Sequence, residues 1–324
     1  MQDSFGRKIE YLRISLTDRC NLRCRYCTPE GGIQSSGNEE KLTTEEILRI
    51  SELLASLGIR RIRLTGGEPL IRKDTEEIVG RLKSIPGLSA VSMTTNGSLL
   101  SGRVEALKKA GLDSINISLD TLNPLTFRQM TGSDRLFDVL EGIREVKDAG
   151  VPFKINCVPV LGMNEKEIEE IALIAGKEPV DVRFIELMPL GCGVDFTGLS
   201  SGEILDRLEA AFGAAEADDQ RSSTEGPAGY YRFEGFAGRI GLISPVSGSF
   251  CAQCNRVRLT SDGFLKLCLR HSSGVDLRTP LRDGAAEEDL KRILEEAVMQ
   301  KPASHDFWKD VKDPEEKRMV QIGG

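Results

Sequence analysis

The chain has 324 residues, 40% hydrophobic and 29% charged, the composition of an ordinary soluble protein with room for one α/β domain and an appendage. Its net charge of -7 excludes a broadly basic nucleic-acid or membrane surface, and no apolar run or signal-peptide core marks a span or export, so a cytoplasmic protein is expected. Eight cysteines in so long a chain read as metal ligands or free thiols, not as a disulfide framework.

In chain order, EYLRISL, RIRLT, AVSMTT, SINISL, FKINCVP and VRFIEL read as six strands. Helices are expected between them near 43–57, 74–84, 101–110, 135–149 and 165–175. Thr43 opens a TxxE capping box with Glu46, and Gly58, Gly111 and Gly150 stand where left-handed C-caps are wanted. Strands alternating with helices make a parallel sheet. Six units are too few for a closed eight-stranded barrel, so the expectation is an α/β partial (β/α)6 barrel, with a C-terminal α+β extension. A flat doubly wound sheet stays open on periodicity alone. Chemistry-bearing groups at successive strand ends favour the barrel: a cysteine loop, GGEP, TTNG, Ser118 and Asp120, NCVP, then ELMP. The stretch 213–229, rich in Ala, Asp, Ser and Gly, is the most linker-like, which places regions at 1–218 and 219–324.

Cys20, Cys24 and Cys27 crowd three thiols into LTDRCNLRCRYCTPEGG. A structural zinc wants a fourth Cys or His nearby, and the only histidines are the distant His271 and His305. An iron-sulfur cubane takes one cysteine per iron, so three hold a 4Fe-4S cluster with one iron open. In GGEP, residues 66–69, the glycines allow close backbone approach to a charged ligand, and Glu68 can accept from an ammonium. Further on, Cys251, Cys254 and Cys268 form CxxC, thirteen residues, then Cys. Here His271 could complete a ribbon-like zinc site, and spacing leaves zinc and cluster both open. Cys157 in an apolar strand reads as a small buried hydrophobe, Cys192 has no assigned role, and Trp308 reads as packing.

The spacing CxxxCxxC followed by GGEP resembles the radical S-adenosylmethionine (SAM) superfamily. The ordered set ISLTDRCNLRCRYC, RLTGGEPLIR, TTNG, NISLD, KINCV, RFIELMP, SPVSGSFCAQCNRVRLT and a terminal Gly323-Gly324 resembles, over nearly the whole chain, the GTP 3',8-cyclase family of molybdenum cofactor biosynthesis. That resemblance implies a SAM cluster on Cys20, Cys24 and Cys27, and a second 4Fe-4S cluster on Cys251, Cys254 and Cys268 that binds the substrate purine. It implies SAM contacts at Tyr26, Gly67, Ser118 and Met188. It implies GTP contacts at Arg13, Arg63, Thr94, Lys154, Arg256, Val257 and Arg258, with Arg256, Arg258, Gly323 and Gly324 serving catalysis. The implied reaction is hydrogen removal from the ribose 3' carbon of GTP by a 5'-deoxyadenosyl radical, then attack on guanine C8. The implied partners are a reductant such as flavodoxin or ferredoxin, a downstream cyclic pyranopterin monophosphate synthase and a second copy in a homodimer, with no nucleic acid or membrane. Alternative readings are a radical SAM enzyme modifying a peptide, which usually carries more cysteines beyond the barrel, and a non-catalytic iron-sulfur or zinc protein.

Overall fold

The computed structural model describes residues 1–29, 31–32, 37–218, 226–305, 307 and 314–323. The six expected strands are β1 (Tyr11–Ser15), β2 (Arg61–Thr65), β3 (Ala90–Thr95), β4 (Ser114–Ser118), β5 (Phe153–Cys157) and β6 (Asp181–Ile185), paired parallel in chain order. The helices α1 (Thr44–Ser56), α2 (Thr75–Lys83), α3 (Val104–Lys109), α4 (Pro124–Thr131), α5 (Leu136–Asp148), α6 (Ile168–Lys177) and α7 (Ser201–Phe212) connect or follow them. Thr43 and Glu46 form both halves of the expected capping box at α1. Two of these seven helices escaped the sequence reading. Asn123 starts α4 by accepting from the amides of Leu125 and Thr126 ahead of Pro124, and Ser200 starts α7 with a second capping box to Glu203.

The sheet is larger than six strands. The C-terminal region adds β7 (Glu216–Asp218), β8 (Gly229–Arg232), β9 (Ile240–Ile243), β10 (Arg256–Leu259), β11 (Phe264–Lys266) and β12 (Gly274–Asp276). Strand β9 joins β6 in parallel at one flank, and β10 joins β1 in parallel at the other. Eight parallel strands therefore stand in the order β10-β1-β2-β3-β4-β5-β6-β9, with antiparallel extensions at both ends. The wall does not close, because β9 and β10 are not neighbours in the sheet. Residues 244–255 run between those two flanks. Periodicity misses β9, the four residues IGLI, whereas the two-apart spacing of Arg256 and Arg258 does mark β10 as a strand with both on one face.

Alternation along the strands sorts two faces. On one, Leu12 pairs with Val257 and Ile62, Met93 with Ile115, and Ile155 with Val182; all are buried under the helices. Each such side chain contributes about 1.5–3 kcal/mol. The opposite face is largely polar, with Ile185 and Ile243 as apolar members at the β6–β9 flank. An ordinary closed barrel fills its interior with branched aliphatics, so this lumen is built for something charged. The last helices are α8 (Arg278–Arg282), α9 (Glu287–Met299), which packs on α1, and the short α10 (Met319–Ile322).

Candidate active site

Beyond the carboxyl end of β1, the first cysteine loop folds on itself and its neighbours. The Cys27 and Thr28 amides donate to the Cys24 carbonyl, while those of Arg23 and Arg25 donate to Thr131 and Met130 at the end of α4. GGEP packs directly on this loop: Gly67 N donates to Thr17 O at 2.6 Å and Glu68 N to Arg19 O at 2.8 Å. A Cβ on Gly67 would lie 2.2 Å from the Arg19 carbonyl oxygen, and one on Gly66 would lie 2.7 Å from that of Thr17. The close approach that these glycines permit is thus to the cysteine loop itself. Burial raises the thiol of Cys27 to about 12, with Cys20 adding to it, and burial together with Cys27, Asp120 and Cys20 raises that of Cys24. Burial and mutual repulsion thus favour the neutral thiols in the protein alone, and binding a cationic centre would release their protons.

Glu68 is fully buried, and burial lifts its carboxyl to about 7 against hydrogen bonds from the Asn96 amide, the Thr95 hydroxyl and the Leu70 amide. The Asn96 side chain lies 3.7 Å from Cys20 Sγ. Tyr26 donates to Asp120 Oδ2 at 2.6 Å, joining the cysteine loop to the end of β4. The C-terminal tail reaches the same end. The Val320 amide hydrogen bonds Cys27, Ile322 is buried, and Gly323 adopts φ 73° where a Cβ would meet Thr65 Oγ1 at 2.6 Å. Gly324 and Trp308 lie outside the described residues.

Register then places Arg258, Arg13 and Arg63 side by side on one rung of the polar face, followed by Ser92. The rung before holds Arg256, Tyr11 and Arg61. Further round, Thr94 pairs with Asn116, Asn116 with Lys154, and Asn156 with Arg183. Six of the seven expected GTP residues, Arg13, Arg63, Thr94, Lys154, Arg256 and Arg258, share this lumen face. Val257 does not: it turns to the opposite face, 1% exposed, and offers the lumen only its backbone. Burial and then Arg258 depress Arg13, and burial and then Arg256 bring Arg258 down to about 10. Tyr11 is pulled to about 8, since Arg63, Arg13 and Arg256 outweigh the upward push of burial. Arg63 Nε reaches the Tyr11 hydroxyl at 2.5 Å. Lys154 meets Asp181 at 2.6 Å and the Tyr230 hydroxyl at 2.9 Å. Sequence reasoning missed Tyr11, Arg183 and Tyr230. For Arg183, the signal was its place between Val182 and Phe184, the alternation that marks Arg13 and Arg63.

The second cysteine set lies at the other end. Cys251 and Cys254 precede the amino end of β10, and antiparallel β11 brings Cys268 back to the same level. The two triads thus lie beyond opposite ends of the parallel strands, the first past the carboxyl end of β1 and the second before the amino end of β10. The histidine that meets this triad is His305, whose Nδ1 lies 3.0 Å from Cys251 Sγ. His271, the sequence candidate, instead bridges to Pro314 while its carbonyl accepts from Lys266. Although burial pushes the Cys251 thiol up, the His305 side chain draws it down to about 7, and His305 lowers Cys268 likewise. These thiols are ready to ionise as ligands. Among the described residues, no three His, Cys, Asp or Glu side chains converge closely enough to hold a single metal ion. Cys157 is buried in β5, as its apolar strand suggests, and Cys192 is buried beside the first loop.

Comparison with known proteins agrees with this architecture. The Radical SAM superfamily model matches residues 14–175, and the Molybdenum Cofactor Synthesis C model matches residues 180–307. A GTP 3',8-cyclase of Clostridium perfringens is 41% identical over the full length of both chains, and one of Moorella thermoacetica is 45% identical, again over all of both. A solved structure of Streptococcus suis SuiB superposes with a TM-score of 0.62 over 92% of this chain and 67% of that one, at 16% identity, a likeness of fold alone. The fold and the cysteine loop thus define a radical SAM protein. Within that superfamily, the chain belongs to the GTP 3',8-cyclase family. No helix among the described residues is long and apolar enough to cross a membrane.

Proposed function

We propose that the chain converts GTP to (8S)-3',8-cyclo-7,8-dihydroguanosine 5'-triphosphate, the first step of molybdenum cofactor biosynthesis, as a SAM-dependent lyase. The observation that carries this reading is the rung of Arg258, Arg13 and Arg63, set between cysteine triads at opposite ends of one lumen. A triphosphate needs converging guanidinium forks, and a single rung supplies three.

The first triad fits a 4Fe-4S cluster in number, spacing and thiol chemistry. When bound, that cluster supplies one electron to SAM, which yields methionine and a 5'-deoxyadenosyl radical. Around it Tyr26, Gly67, Ser118 and Met188 contact SAM, and Glu68 accepts from its ammonium. Arg13, Arg63, Arg256, Arg258, Lys154 and Thr94 hold GTP in the lumen, with the Val257 backbone beside them. Cys251, Cys254 and Cys268 would hold a second 4Fe-4S cluster, which would supply a coordination site for the purine. The nucleotide thereby spans the lumen, triphosphate on the arginines and base toward the second triad. Arg258 and the tail glycine Gly323, which it holds, close the space between, shielding the ribose from water. A flavodoxin or ferredoxin supplies electrons, cyclic pyranopterin monophosphate synthase consumes the product, and the active form is a homodimer.

Iron analysis tests the cofactors: anaerobically rebuilt protein carries about eight irons, from two cubanes. Four irons with a tightly held zinc would remove the second cluster. With SAM, GTP and a reductant, deoxyadenosine forms, and Cys24→Ala abolishes it; survival of that product in the variant would refute the SAM site.

A further inference from the structure

Resting on the second-cluster reading, we propose that residues 301–305, together with Arg7, form a brace that positions all three ligands of the second triad. Arg7, Lys301 and His305 are its positioning residues. The three cysteines sit on two pieces of chain: Cys251 and Cys254 on the connection from β9 to β10, Cys268 beyond β11. Backbone pairing alone fixes only the strands between them. Something must hold the two pieces in register, and the segment that follows α9 touches each one.

Lys301 is 3% exposed, and its ammonium donates to the carbonyl of Arg256, two residues after Cys254, at 2.9 Å, and to the carbonyl of Leu267, next to Cys268. One buried cation therefore pins the two pieces of chain to each other. Arg7, 7% exposed, anchors Cys251. Its Nη1 donates to the carbonyl oxygens of Cys251 and Ala303, each at 2.9 Å, and its Nη2 to that of Pro302 at 2.6 Å. Asp3 holds the guanidinium in place at 2.5 Å and neutralises it. His305 then fixes the Cys251 sulfur directly, by its main-chain N–H at 3.4 Å and by its ring at 3.0 Å, while its Nε2 donates to the Pro245 carbonyl at 3.0 Å. Phe307 packs edge-on against the ring at 4.7 Å.

Buried cations on backbone carbonyls are costly to place and strongly directional once placed. Hydrogen bonds to cluster sulfurs also set reduction potential, so His305 bears on electronics as well as geometry. None of the three residues lies on the lumen rungs that take the nucleotide.

The test compares wild type with Arg7→Met, Lys301→Met, His305→Ala and the conservative His305→Gln, all full-length and rebuilt anaerobically. Iron, acid-labile sulfide and zinc are counted per chain, and electron paramagnetic resonance under a potential titration reports the two clusters separately. The first cluster serves as the folding control within each variant. The brace predicts that Arg7→Met and Lys301→Met keep the first cluster while iron falls from about eight toward four. It predicts that His305→Ala lowers the potential of the second cluster and that His305→Gln, which retains a donor, restores part of the shift. If Arg7→Met or Lys301→Met loses both clusters, the His305 pair decides alone, since that partly exposed side chain can be exchanged without emptying a buried site. Full iron content and an unchanged second potential in every variant would overturn the brace. Four irons and one zinc in the wild type would instead overturn the second-cluster reading beneath it.

Discussion

The guanidinium of Arg258 donates to the carbonyl oxygen of Gly323. That bond links β10, which starts at the second cysteine triad, to a tail whose preceding turn hydrogen bonds the first. The two ends of the lumen are thus mechanically joined through a residue that also sits on the arginine rung.

Replacing Arg258 by Ala removes a phosphate fork and the tail's anchor together. Cyclised product is expected to fall roughly a hundredfold, the usual cost of one charge-stabilising donor, while SAM cleavage falls far less. The ratio of cyclised nucleotide to deoxyadenosine measures this. Equal losses of both would contradict the role.

Tyr11 reports on the lumen charge. Its phenol titrates near 8 because Arg63, Arg13 and Arg256 favour the phenolate. A bound triphosphate neutralises those cations, so the phenol must move back up and binding must take up a proton above about pH 8. Triphosphate affinity therefore weakens as pH rises through that value. Ultraviolet titration of the phenolate with and without GTP checks it, and Tyr11→Phe removes the step; an unmoved titration would place the triphosphate elsewhere.

Gly67→Ala forces a Cβ to within 2.2 Å of a backbone oxygen in the cysteine loop. The loop must shift, at about 2–4 kcal/mol of stability by analogy with other overpacked or strained sites. Iron at the first site should drop selectively. Full first-cluster occupancy in this variant would show that GGEP does not shape the loop.

Glu186, in the ELMP motif, accepts from the amides of Ser201, Val246 and Ser247 and from the Ser247 hydroxyl, anchoring the start of the connection that bears Cys251. These bonds overcome burial and hold its carboxyl below the ordinary 4.5. Its contribution is therefore present above that value and lost as pH falls through the lowered one. Glu186→Gln should cost about 2–4 kcal/mol near neutrality, with the gap to wild type closing in acid. Denaturant melts at pH 7 and pH 4 compare the two, and a gap independent of pH would exclude the charged acceptor.

The first site was legible because its signal is local: three thiols in eight residues, then GGEP, each at a strand end. The arginine rung was half legible, since strand alternation puts Arg13 and Arg63 on one face but only register shows Arg258 beside them. What stayed hidden depends on distant pairing. His305 lies 54 residues from Cys251, and nothing in its neighbourhood distinguishes it from His271. The flanking strand β9 is short and lacks a crossover helix, so no period announces it. The linker-like stretch proved partly strand, as Glu216–Asp218 pairs with Gly229–Arg232, an antiparallel edge that composition does not encode.

The most direct measurement uses GTP deuterated at the ribose 3' carbon, with SAM and reductant, under anaerobic conditions. Cyclisation as proposed transfers that deuterium to 5'-deoxyadenosine while 3',8-cyclised nucleotide accumulates. Deoxyadenosine free of deuterium, with GTP recovered unchanged, would contradict the account.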